Sequence, residues 1–159
     1  MAKKSVLDQN KLVVTSLRAA ACSGAAALTT ANRAVDEHFA PGFVIHNTFP
    51  GMASDVEGTK QWNAVILKAI PDYNVKIDDQ IAENDKVVTR WTARGTHKGE
   101  FQGIAPTGKQ VVVSGMTISR YVDGKIAESW VELDTLNLMR QLGASRRPTI
   151  TPVGGEPSR

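Results

Sequence analysis

Cysteine is almost absent from this chain. Cys22 is the only one in 159 residues, so no internal disulfide can form, and its apolar helical surroundings make it an inert thiol. Long hydrophobic runs are also missing. No stretch approaches the roughly 18–20 apolar residues of a membrane span, and Ala19–Leu28 is broken by Ser23 and Gly24. The basic start, Met1 to Lys4, leads into Asp8, Asn10 and Lys11 rather than an apolar segment, so no secretory leader is expected and a cytoplasmic location is. Only three histidines occur, widely dispersed, and with one cysteine they compose no metal site. No phosphate-cradling glycine loop and no G-x-S-x-G nucleophile motif is present, so a site without cofactor or metal is expected.

The net charge is +3. Lys3, Lys4, Arg146, Arg147 and Arg159 sit at the two ends, and the remaining charges nearly balance. No basic stripe interleaved with aromatics runs through the body, which argues against nucleic acid. At 42% apolar, the chain has enough hydrophobic surface to bury a core, and its length suits one domain. That domain is expected over residues 1–144. Residues 145–159, with Pro148, Pro152 and Pro157, are expected to be a flexible C-terminal tail.

Helical periodicity is present in Lys11–Ala21, in Thr29–Phe39 up to Pro41-Gly42, and in Asp55–Ala69 up to Pro71. A short strand is expected at Phe43–His46. Four strands follow: Tyr73–Ile81, Lys86–His97, Lys109–Val122 and Lys125–Leu133, the last two joined by the hairpin turn Asp123-Gly124. Asp134 and Gly143 bracket a last helix, Thr135–Leu142. Helices first and an antiparallel run afterwards make the fold α+β.

The pieces F-V-I-H-N (Phe43–Asn47), I-P-D-Y (Ile70–Tyr73), G-T-H-K-G-E-F-Q-G-I-A-P-T-G (Gly95–Gly108), R-Y-V-D-G-K-I-A-E (Arg120–Glu128) and L-N-L-M-R-Q-L-G-A occur in this order. In that combination, the segment from Asn10 to Ala144 resembles the SnoaL-like polyketide cyclase family of the nuclear-transport-factor-2-like superfamily. The resemblance implies a cone: a curved antiparallel sheet wrapped by N-terminal helices around a pocket. It implies a small apolar, cyclic or polyketide-like ligand, and cofactor-free acid/base chemistry such as cyclisation, isomerisation or dehydration. Relatives also include ester cyclases and proteins without chemistry, and many pair as homodimers through the sheet face.

In such cyclases an aspartate on the last strand is the general acid/base. The family pattern puts that position at Val131, and histidines at Ser129 and Thr117, so all three are non-ionisable here. A valine cannot abstract a proton. His46, which matches the family's first-strand histidine, and Glu132, beside the lost acid, are the remaining catalytic candidates. Period-two alternation directs Glu132 away from Val131 unless a bulge intervenes. Asp134 reads as a helix cap, His97 as a residue fixing its turn, and Arg120 with Glu128 as an outer-face pair. Trp62, Trp91, Met116 and Trp130 are large enough to line a pocket for a flat ring, together with Thr117, Ser129 and Val131. Core packing is the competing role for each. A non-catalytic binding protein and a dimerising module with a filled cone remain open beside the enzyme.

Overall fold

The computed structural model describes Asp8 and residues 26–47, 49 and 51–143. Helix α1 (Ala27–His38) buries Ala27, Ala31, Ala34 and Val35, one stripe at spacings of three and four. It passes directly into β1 (Phe39–His46). Helix α2 (Val56–Ala69) starts where the Asp55 carboxylate accepts the Gly58 N–H at 2.9 Å. It is tied to α1 by Asn63 Nδ2 donating to Asn32 Oδ1 (3.2 Å) and by Lys60 on Asp36 (2.7 Å). Strands β2 (Asn74–Glu83), β3 (Lys86–Thr96), β4 (Gln110–Val122) and β5 (Lys125–Leu133) follow, and α3 (Thr135–Leu142) ends the described chain.

The strands form one open five-stranded sheet in the order β1-β5-β4-β3-β2. The β2–β5 run is antiparallel, as expected, but β1 pairs with β5 in parallel, so the sheet is mixed. A long connection of helix and strands separates β1 from β5, which is what a parallel neighbour requires. Pro41-Gly42 does not separate helix from strand. It lies within β1, where the register with β5 breaks between Phe39 and Val44. An edge strand tolerates a proline because that N–H side has no ladder to complete. β2, the other edge, carries a second irregularity between Ile77 and Asp79.

The hairpin between β4 and β5 turns on Asp123 and Gly124, with φ of 50° and 76°. These positive values match the right-handed strand twist in a two-residue loop. A further register shift between Arg120 and Tyr121 offsets β5 by one residue at Ala127. Asp134 accepts the Asn137 N–H at 3.0 Å and caps α3, and Gly143 closes it at φ 89°. The expected helix Lys11–Ala21, Cys22 and the tail from residue 145 lie outside the described residues.

The face of the sheet against the helices carries two apolar clusters. One gathers Trp91, Ala93, Val111 and Val113 with Ile66, Ile70, Phe101, Leu138 and Leu142. The other gathers Phe43, Val87, Tyr121 and Ile126. On the opposite, outer face a single row crosses all five strands: Ile81, Val88, Ile118, Trp130 and His46 are consecutive cross-strand partners. Rows carrying both charges flank it, Asp79–Arg90–Met116–Glu132 on one side and Glu83–Lys86–Arg120–Glu128 on the other.

Candidate functional site

The inner face is hollow at one end. A cavity of about 100 Å³ is lined by Trp62, Ile66 and Ile70 from α2 and its exit, Trp91 and Ala93 from β3, and Val111 and Val113 from β4. Val131 and Leu133 of β5, Leu138 of α3, Phe49 and Tyr73 complete the apolar wall, with Asn47 and Arg94 as polar members. Small side chains make the space: Ala93, Val111 and Val113 stand where the other end of the face has Tyr121 and Ile126.

Trp62 and Phe49 stack at 4.5 Å with 10° between their planes, and Phe101 meets both edge-on. Trp91 is held from below, where its Nε1 donates to Thr117 Oγ1 at 3.1 Å. The Trp91 ring fits because position 115 is glycine. A Cβ there would lie 2.5 Å from Trp91 Cζ2 and 2.6 Å from the Glu132 carbonyl oxygen. The G-T-H-K-G segment closes the structure over the end of α2. The N–H groups of Lys98 and Gly99 both donate to the Ala69 carbonyl at 2.9 Å, and a Cβ on Gly99 would strike the Lys68 carbonyl at 2.2 Å. His97 is wholly buried. Its Nδ1 accepts the Thr107 N–H at 3.2 Å and its backbone bonds Lys109 and Gly108, so it fixes the loop as expected of it. At the rim, Asp72 accepts from the Thr96 hydroxyl (2.7 Å) and N–H (2.6 Å), and these two bonds hold its carboxyl below the usual range.

Of the residues singled out from sequence, the structure brings Trp62, Trp91 and Val131 together in the cavity wall. Thr117 and Ser129 lie on the same face but one layer away. Thr117 supports Trp91, and the Ser129 hydroxyl meets that of Ser119 at 3.4 Å. Three expected placements are corrected, and Glu132 keeps the outward course that alternation gave it. His46 does not enter the cone. Register with Trp130 turns it to the outer face, where the two rings stack at 4.9 Å and Nε2 lies 3.9 Å from the Glu128 carboxylate. Trp130 is on that face too, with Lys86 Nζ 5.6 Å from its ring centre. Met116, half exposed, and Glu132 are cross-strand partners there as well. The register shift in β5 lies upstream at Ala127, so it does not turn Glu132 inward.

Arg120 and Glu128 form the expected outer-face pair at 2.8 Å, which lowers the Glu128 carboxyl below its usual range. Burial alone pushes the Tyr121 phenol up. Among the described residues, no group of three potential ligands could hold a metal, and no helix is long and apolar enough to cross a membrane.

Sequence reasoning missed Asn47, Phe49, Tyr73 and Arg94 as lining residues. Two of them close the quoted F-V-I-H-N and I-P-D-Y pieces, which was the available signal. Asn47 has φ 61° and its Nδ2 donates to the Glu132 carboxylate. The chemistry on offer is therefore an aromatic-walled pocket whose polar lining residues are Asn47, Tyr73 and Arg94. No carboxylate or imidazole is among its described lining residues.

A family model for the SnoaL-like polyketide cyclase matches residues 19–142. Solved structures are similar over most of the chain. AclR, a candidate hydroxylase from Streptomyces galilaeus, is 27% identical with a TM-score of 0.74, covering 88% of this chain and 84% of its own. A candidate SnoaL-like polyketide cyclase from Jannaschia sp. CCS1 is 25% identical with a TM-score of 0.74, covering 91% and 99%. IdmH, a candidate polyketide cyclase from Streptomyces antibioticus, is 30% identical with a TM-score of 0.69, covering 85% and 99%. No curated protein matches.

Proposed function

The chain belongs to the SnoaL-like polyketide cyclase family, and we propose that it binds and transforms a small apolar, cyclic or polyketide-like metabolite without a cofactor. The observation that carries this reading is the cavity walled by Trp62, Trp91 and Phe49, whose few polar members sit at its margin. Such a site recognises a flat ring by its faces and orients it by one or two oxygens.

Val131 lines the wall; with the general acid/base of the family pattern assigned to that position by resemblance, the chemistry falls to substrates that already enolise readily. For a chain bearing a 1,3-dicarbonyl, the pocket contributes restraint of the reacting carbons. The Tyr73 hydroxyl supplies a donor for charge developing on a carbonyl oxygen. Cyclisation, isomerisation and dehydration each start from the enol that such a substrate already forms, its C–H proton having passed to solvent water. The test is product formation from linear and cyclic β-keto esters, followed by mass spectrometry. Tyr73→Phe is expected to lower turnover by about 100-fold, the scale of losing one such donor. Unchanged turnover in that variant removes Tyr73 from the mechanism.

A second reading has its own support: the described lining contains no carboxylate or imidazole. A non-catalytic binding protein would show saturable binding of the same compounds and no product on long incubation.

The partner of the outer face, on this reading, is a second copy of the chain. An apolar row bordered by rows of mixed charge is self-complementary about a twofold axis. Light scattering is expected to give a dimer at micromolar concentration, and Ile118→Glu a monomer. A wild-type monomer rejects the pairing.

A further inference from the structure

Glu132 lies outside the cavity, yet its carboxylate is bonded to a residue that lines it. β1 ends at His46, and Asn47 turns the chain through the left-handed region at φ 61°, a conformation asparagine tolerates better than most residues. The turn places the Asn47 side chain at the cavity lip, within reach of Glu132 on the last strand. A carboxylate can only accept hydrogen bonds, so the amide end that faces it must be the NH₂. The two ends of an asparagine amide are otherwise interchangeable in shape, and only a partner of fixed polarity decides between them. Glu132 decides it. The carbonyl Oδ1, the opposite end of the amide, has no hydrogen-bond partner among the described residues and is left as an acceptor at the lip.

We propose that Asn47 binds the ligand through Oδ1 and that Glu132 is its positioning residue, so that the pocket selects rings bearing a hydroxyl donor (a phenol or an enol) over the same rings without one. This rests on the ligand-binding reading above and deepens it. It also gives Glu132 a role that does not require entry into the cavity. A substrate held in its enol form would have its O–H engaged by Asn47 while its ring lies against the Trp62 and Trp91 wall.

Phenol and benzene are the probes, because they differ by one hydroxyl and are small enough for the cavity. Dissociation constants come from chemical-shift titration of the full chain. Wild type is expected to prefer phenol about five- to tenfold, the scale of one net hydrogen bond. Asn47→Ala and Glu132→Ala are each expected to reduce the phenol-over-benzene ratio to below about twofold. In Glu132→Asp the shorter side chain is still an acceptor-only carboxylate, and part of the preference is expected to return. Such rescue distinguishes positioning from a general loss of structure. The Glu132 side chain is exposed, and unchanged spectra outside the lip will verify that Glu132→Ala folds. A phenol preference that survives Glu132→Ala overturns the inference while leaving the pocket reading intact. If benzene and phenol both fail to bind wild type, the pocket reading falls and the inference falls with it.

Discussion

The two ends of the inner sheet face are built from the same strands and do opposite things. At one end Phe43, Val87, Tyr121 and Ile126 fill the space between sheet and helices. At the other, Ala93, Val111, Val113 and Val131 stop short of Trp62 and Phe49, and a cavity remains. Between them runs a band of buried hydroxyls, Thr89, Thr117, Ser119 and Ser129. The difference teaches how a small domain combines stability with a cavity. Close packing is concentrated where large side chains meet, while the hollow end relies on a few fixed aromatics. The hydroxyl band joins the two regimes, since Thr117 reaches from it to set the Trp91 ring.

That contrast can be broken or sharpened by substitution. The largest effect is expected at the filled end. Phe43→Ala should cost about 3–5 kcal/mol in a denaturant titration, the range for deleting a buried aromatic, while binding of benzene to the remaining folded protein stays the same. At the hollow end, Ala93→Leu should abolish benzene binding by filling the cavity. Its stability should change by no more than about 1–3 kcal/mol, the usual limit for added methylenes. If Ala93→Leu destabilises as much as Phe43→Ala, the two ends are not distinct.

In the band, Thr117→Val removes the acceptor for Trp91 Nε1 and should cost about 1 kcal/mol, with weaker ring binding as the ring loosens. The smallest effect is at the rim. The Thr96 hydrogen bonds depress the Asp72 pKa in the folded state, so Asp72 contributes stability above its unfolded pKa that is lost as pH falls through the folded value. Asp72→Asn should therefore flatten the acid side of the stability profile and leave the neutral-to-basic side parallel to wild type.

The β2–β5 strands, the Asp134 and Gly143 caps and the Arg120–Glu128 pair were legible because each follows from local spacing or a short hairpin. The outward turn of Glu132 was legible for the same reason: it alternates with Val131. His46 was not. Its face depends on pairing with a strand more than eighty residues later, across an irregular stretch at Pro41-Gly42 that resets the alternation. Met116 failed differently. β4 carries apolar residues on both faces, with Val112, Met116 and Ile118 outside and Val111 and Val113 inside, so hydrophobicity alone cannot tell which side holds the pocket. Asn47 and Phe49 lie beyond strand periodicity altogether, placed by aromatic stacking on Trp62 and by the hydrogen bond that the Asn47 side chain donates to Glu132.

The irregular edges have a consequence for assembly. An unpaired strand normally offers its backbone as a template onto which further strands add without limit. Here one border carries Pro41, and the other is offset near Asp79 and studded with Lys76, Asp78 and Asp79. Neither can be copied in register, so lateral growth into fibres is blocked at both ends.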